Sequence, residues 1–161
     1  MNPFSFQTCP NIVFEAGAAA KIAEIVASYG AKRVMLVTDK GVRDAGLTRG
    51  AEDALVKAGA SLSVFEDVVA DPPSQVIEAA ARRARSERTE LVLSIGGGSA
   101  LDTAKLVAYL AKTDEPLDAI YGVGLAKGQR LPLVLAPTTA GTGSGRSPPG
   151  CGRSTPTPRA G

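Results

Sequence analysis

The chain of 161 residues contains no histidine, no tryptophan and only two cysteines. Each shortage removes a class of chemistry. Without imidazole there is no histidine to ligate a metal or shuttle a proton. The Ser/His/Asp and Cys/His arrangements of nucleophilic catalysis are excluded for the same reason. Cys9 and Cys151 lie far apart in sequence and do not make a zinc site. They read as free thiols in a reducing compartment, and a cytoplasmic location is expected. No apolar run approaches the roughly 18 residues needed to cross a bilayer, so no membrane contact is expected. Residues Met1–Phe6 show no basic stretch followed by an apolar one, so a signal peptide is not expected either.

The chain is also short of evenly spread positive charge. Its net +2 hides an uneven distribution: residues 1–144 hold 15 Lys and Arg against all 16 Asp and Glu, and residues 145–161 add three arginines with no acid. The dense cluster Arg82, Arg83, Arg85 and Arg88 is interleaved with Glu78, Glu87 and Glu90. Such mixing describes a solvated helix face. With aromatics at 4%, no stacking residues accompany it, and nucleic acid is not an expected partner.

What the chain does have is aliphatic residues. Apolar residues make up 44%, and 161 residues suffice for a domain that buries roughly 70% of its unfolded surface. The first 15 residues alternate weakly, as an edge hairpin would. A helix is predicted over 18–28, with Gly30 as its C-cap. The run Arg33–Thr38 reads as a buried strand. A helical segment with Ala51, Ala54, Leu55 and Ala58 ends at Gly59, and a strand follows at 61–65. Asp71-Pro72-Pro73-Ser74 breaks the chain, with Ser74 placed to cap a helix running to Ser86. A strand at 91–95 leads through a glycine turn into a helix over about 100–112, and another strand is predicted at 133–136.

These strands are continuous apolar runs separated by helices, as when both faces of a parallel sheet are covered. The predicted fold is therefore α/β, a Rossmann-like parallel sheet with flanking helices. Ligands of such sheets sit beyond the carboxyl ends of the strands. Asp39, Asp71, the Gly96 turn and the Thr138 turn all follow strands and can converge there. Residues 145–161 differ: eight of the 17 are Gly or Pro, and Val, Ile, Leu, Met and aromatics are absent. This segment is expected to be a disordered tail following a domain over 1–144.

The chemistry concentrates in Gly96-Gly97-Gly98-Ser99, at a strand-to-helix junction. Three consecutive glycines weaken a fold entropically, which a tight turn alone does not require. They let backbone N–H groups and the positive helix end meet a phosphate. Ser99 and Asp102 match a capping box, with Ser99 as N-cap, and both are also candidates for ligand contact. Lys105 reads equally as an exposed helix lysine or a ligand contact. Asp39 can accept hydrogen bonds from a ribose diol, or cap a following helix. Thr138, Thr139 and Thr142 place hydroxyls beside glycines, for phosphate or ribose contact or simply as a satisfied polar turn.

Three ordered motifs, Val37-Thr38-Asp39-Lys40-Gly41, Gly96-Gly97-Gly98-Ser99-x-x-Asp102-x-x-Lys105 and Pro137-Thr138-Thr139-Ala140-Gly141-Thr142-Gly143-Ser144, resemble the amino-terminal half of an iron-containing alcohol dehydrogenase. The resemblance implies the dehydroquinate synthase-like amino-terminal domain and an NAD-dependent oxidoreductase. In that family a metal, iron or in relatives zinc, polarises a small alcohol or aldehyde while hydride passes to the nicotinamide. By the match, Asp39 binds the adenosine ribose, Gly97, Gly98 and Ser99 the pyrophosphate, and Asp71 lies near the adenine. Thr138, Thr139 and Thr142 line the cofactor cleft, with Asp102 also on the cofactor side; a homodimer is compatible with the family. The family pattern continues after Ser144 with Glu and a helical domain carrying an aspartate and three histidines as metal ligands. Here Gly145 opens the Pro/Arg-rich tail, so a truncated cofactor-binding domain, inactive alone, is expected. The alternatives are a glycerol or polyol dehydrogenase relative and a non-catalytic nucleotide-binding module.

Overall fold

The structure is a computed structural model that describes residues 11–14, 17–120 and 128–140. Of the first 15 residues, expected as an edge hairpin, only 11–14 are described, and they carry no strand; the rest of that stretch, Thr142, both cysteines and the tail from Gly145 lie outside the described residues.

The elements follow in the order α1 (Ile22–Ser28), β1 (Arg33–Val37), α2 (Lys40–Asp44), α3 (Arg49–Lys57), β2 (Ser61–Phe65), α4 (Ser74–Ser86), β3 (Leu91–Gly96), α5 (Gly98–Leu110) and β4 (Leu133–Pro137). Short 3-10 turns at Ala18–Lys21 and Leu117–Ile120 precede α1 and follow α5. The predicted helix over 18–28 thus opens as a tighter turn. Glycines end α1 and α3: Gly30 and Gly59 follow the C-caps with φ of +69° and +84°, a conformation that costs glycine nothing.

Among the described residues the four strands form one sheet in the order β2-β1-β3-β4, every pairing parallel. Val34 lies beside Leu62 on one side and Leu91 on the other, and Leu93 beside Val134. Side chains alternate between the two faces with the period of two that strands impose. Val34, Leu36, Leu91, Leu93 and Ile95 pack against Ile22 and Val26 of α1 and Ala51 and Leu55 of α3. Met35, Val37 and Val92 pack against Ala80 and Ala84 of α4 and Ala100, Ala104 and Val107 of α5. A further cluster joins Ile77 and Ala81 of α4 to Leu106, Tyr109 and Leu110 of α5, under Leu117 and Ile120. All of β3 is buried. That accounts for strands without polar alternation: both faces are covered.

Two capping expectations are corrected. Ser74 is the first residue of α4, and Pro73, extended at φ −66° and ψ 155°, holds the N-cap position without a side-chain cap bond. Proline lacks the N–H that a helix start leaves unused, so it fits there. At α5 the N-cap is Gly97, not Ser99, and no side chain caps the helix. The helix therefore begins two residues before the predicted start.

The order β2-β1-β3 makes β1 and β3 diverge in connection. From β1 the chain turns outward to β2, then returns past β1 to β3. Where neighbouring strands send their connections to opposite sides, a crevice opens at their carboxyl ends.

Candidate functional site

Asp39 follows β1 and the glycine turn follows β3, so the crevice is lined by the two motifs the sequence singled out. Asp39 is the N-cap of α2, where its Oδ1 accepts from the N–H of Val42 at 2.9 Å. The capping role is therefore real, and it occupies one carboxylate oxygen. The other faces β3: an added Cβ on Gly96 would stand 3.5 Å from Asp39 Oδ2 and only 2.7 Å from the Ala100 Cβ. Only a glycine at 96 lets α5 turn so closely off the strand. Buried Thr38 ties the two strand ends together, its Oγ1 donating to the Ile95 carbonyl at 2.7 Å.

The start of α5 leaves donors unused. The first intrahelical bond to the N-cap runs from Leu101 N–H to Gly97 carbonyl at 3.1 Å. The N–H groups of Gly98, Ser99 and Ala100 precede it and have no acceptor within the helix. With no side-chain cap, they and the positive helix end face outward. An open cleft of about 380 Å³ lies against them, lined by Gly97, Gly98 and Ser99 on one side and Asp39, Lys40 and Gly41 on another. Val68, Val69 and Ala70, from the chain leaving β2, complete the wall.

That third wall was not read from the sequence. Its signal was positional: any segment following a parallel strand reaches this edge. An isolated antiparallel bridge between Asp39 and Asp67 holds it in place. So does Arg43 of α2, whose Nη1 lies 2.5 Å from Glu66 Oε2 and whose Nε lies 3.4 Å from Glu52 of α3. The bond to Glu66, then that to Glu52, holds the Arg43 guanidinium protonated to higher pH than usual.

The remaining expected residues divide. Thr138 donates its N–H to the Gly96 carbonyl at 2.9 Å, and the Thr139 side chain lies 3.8 Å from where a Gly97 Cβ would stand. Both threonines therefore stand beside the glycine turn, exposed to solvent. Asp71 is exposed at φ +45°, just beyond the cleft-lining Ala70, and is not itself part of the wall. Asp102, one turn into α5, pairs with Lys105, Nζ to Oδ1 at 3.0 Å. Of the two readings of Lys105, an exposed helix lysine or a ligand contact, the first does not hold: the residue is 4% exposed.

Residues 9–149 match the family described as iron-containing alcohol dehydrogenase. The chain belongs to the iron-containing alcohol dehydrogenase family. It is 38% identical over 131 residues to long-chain-alcohol dehydrogenase 1 of Geobacillus thermodenitrificans, 80% of this chain and 33% of that protein. NADH-dependent butanol dehydrogenase A of Thermotoga maritima superposes with a TM-score of 0.81 at 30% identity, over 91% of this chain and 37% of that one. Sulfoacetaldehyde reductase from Bifidobacterium kashiwanohense, solved in complex with NAD+, gives 0.76 at 32% identity, over 89% of this chain and 38% of that one. The chain spans about a third of each of these iron-containing alcohol dehydrogenase relatives.

The two groups this family implies fare differently. A dinucleotide fits: the cleft offers uncapped helix N–H groups, a tight junction at Gly96 that an added Cβ would disturb, and a carboxylate with one oxygen left over. A metal does not. The chain has no histidine, and no group of three or more His, Cys, Asp or Glu among the described residues is placed to hold one. Nor is any helix among the described residues long and apolar enough to cross a membrane.

Proposed function

We propose that this chain carries the cofactor site of an NAD-dependent alcohol dehydrogenase of the iron-containing family, acting on a small alcohol or aldehyde. The observation that carries the reading is the uncapped glycine start of α5, opening beside Asp39 at the β1–β3 crevice. NAD supplies the hydride acceptor, or as NADH the donor. Gly97, Gly98 and Ser99 cradle the pyrophosphate, which the N–H groups at the start of α5 hold with the helix dipole. Asp39 keeps Oδ1 on the α2 cap and turns Oδ2 to the adenosine ribose diol. Val69, about half exposed, covers the adenine edge with Ala70, and Asp71 stands beyond them. Thr138 and Thr139 flank the turn on the nicotinamide side, where Thr142 belongs by the family motif, with Asp102 one turn along α5.

Asp39 also sets cofactor choice. A 2′-phosphate would meet its carboxylate as a like charge, at a cost of several kcal/mol. NAD+ is therefore expected to bind more tightly than NADP+ in calorimetric titration. Asp39→Asn is expected to keep the fold and lose the preference, because asparagine caps helices as well as aspartate does. Asp39→Ala is expected to lose the preference and, in addition, about 1 kcal/mol of stability with the cap. Equal affinities for the two dinucleotides, or an unchanged preference in Asp39→Asn, would contradict the reading.

Hydride transfer also needs a group opposite the nicotinamide that polarises the alcohol oxygen or takes its proton. Among the described residues no group of three or more His, Cys, Asp or Glu is placed to hold a metal for that role. This favours a second reading, a nucleotide-binding module without catalytic duty of its own. An assay of NADH formation with ethanol, propanediol and glycerol separates the two. The chain by itself is expected to bind NAD+ without turnover, and steady turnover would contradict that expectation.

A further inference from the structure

Lysine is among the side chains least often fully buried, yet Lys105 is 4% exposed on α5. Removing an ammonium from water carries a desolvation cost that a leucine or methionine at the same place would not. The cost calls for a role. Lys105 Nζ lies 3.0 Å from Oδ1 of Asp102, whose side chain is 41% exposed. The pair is thus a buried cation holding a half-exposed carboxylate.

The position of that carboxylate matters. Asp102 lies three residues past Ser99, one helical turn or roughly 5 Å along the axis. Helix side chains lean toward the N-terminus, so Asp102 leans back toward the turn formed by Gly98 and Ser99. An uncompensated carboxylate there favours the helix dipole but repels any anion brought to the helix start. The glycine turn offers its N–H groups to phosphates, and the same few ångströms hold a negative side chain.

We propose that Lys105 is a positioning residue that cancels the charge of Asp102 near the start of α5, so that the glycine turn one helical turn away accepts a polyanion. The inference rests on the dinucleotide reading of this cleft and adds to it a charge balance set from within the helix. It accounts for both unusual features at once: a buried lysine, and an acid placed beside an anion site.

The test uses the full chain and a ligand series of increasing negative charge: adenosine, AMP and ADP, titrated calorimetrically. Lys105→Met is expected to leave adenosine binding unchanged, to weaken AMP roughly threefold and to weaken ADP roughly tenfold. These losses should shrink as salt is raised. Lys105→Arg should restore ADP binding, and so should Asp102→Asn added to Lys105→Met. Should Lys105→Met fail to fold, Asp102→Asn alone gives an independent reading: it leaves the cation and removes the anion, so ADP should bind more tightly than to the wild type. Equal losses for all three ligands in Lys105→Met, or an Asp102→Asn variant that does not gain affinity for ADP, would overturn the charge-balancing role and leave the cleft reading standing. A wild-type chain that binds neither ADP nor NAD+ would overturn both.

Discussion

Strands β1 and β3 lie side by side, and their two ends are built to opposite rules. At the amino end one carboxylate, Glu90, gathers its bonding from within the chain. Glu90, just before β3, accepts from the backbone N–H groups of Lys32 and Arg33 at 2.6 and 3.0 Å. It also takes the Arg33 guanidinium at 2.5 Å, and Arg33 Nε donates to the Arg88 carbonyl at 2.7 Å. At the carboxyl end the chain does the reverse. Three N–H groups at the start of α5 lack an acceptor in the helix, and glycines keep side chains away from them. One end joins the strands; the other presents unmatched donors to a cleft. Backbone donors without an acceptor at one end of a strand pair, beside a fully engaged carboxylate at the other, point to where a ligand completes the bonding.

Adjacent glycines sharpen this contrast, because they are needed for different reasons. Gly96→Ala places a Cβ 2.7 Å from the Ala100 Cβ, closer than any relaxed contact. Helix and strand must separate, so a loss of about 1–3 kcal/mol is expected, together with loss of NAD+ binding. Thermal unfolding and titration would show both. Gly97→Ala is the milder change, since its Cβ would meet nothing nearer than Thr139 at 3.8 Å, and the backbone at φ −79° suits any residue. Its melting temperature should match the wild type. NAD+ affinity should nevertheless fall about tenfold, because the added methyl, at a cleft-lining position, keeps a phosphate from closing on the neighbouring N–H groups. A stable Gly97→Ala variant with undiminished affinity would place the phosphates elsewhere.

Glu90→Gln probes the opposite end, and a smaller effect is expected. The N–H of Lys32, then that of Arg33, holds the Glu90 carboxyl below its ordinary value of 4.5. A depressed carboxylate pKa adds stability above the unfolded value, and that contribution is lost as pH falls through the folded one. The melting temperature of Glu90→Gln should therefore lie modestly below wild type at pH 7. The gap should close as the pH drops below 4.5, with NAD+ affinity the same at neutral pH. A change in NAD+ affinity would show that the two ends are not independent.

Most of the sheet was legible in the sequence, because burial on both faces leaves a strong imprint. The runs at 33–38, 61–65, 91–95 and 133–136 became strands to within a residue. Helix starts were harder to read. Ser74 and Ser99 carry the side-chain chemistry of caps, but Pro73 and Gly97 took the N-cap positions. At α5 the difference has functional meaning: a serine cap would have used donors that the glycine leaves available. The wall formed by Val68, Val69 and Ala70 had no motif to announce it, since its place depends on β2 lying beside β1. The burial of Lys105 was likewise invisible, because local sequence shows the helix but not what packs around it. Asp39 was read as either a cap or a ribose acceptor. Its cap bond is present, and its second oxygen keeps the other role available.

On this reading the carboxyl end of the β1–β3 pair, and not the amino end, takes the dinucleotide. A titration of isotopically labelled chain with NAD+, followed through backbone amide resonances, tests it most directly. Shifts are expected to concentrate at Asp39 to Gly41 and at Gly97 to Ala100, with Lys32, Arg33 and Glu90 unmoved. Shifts centred on the Glu90 end, or none at saturating NAD+, would contradict it.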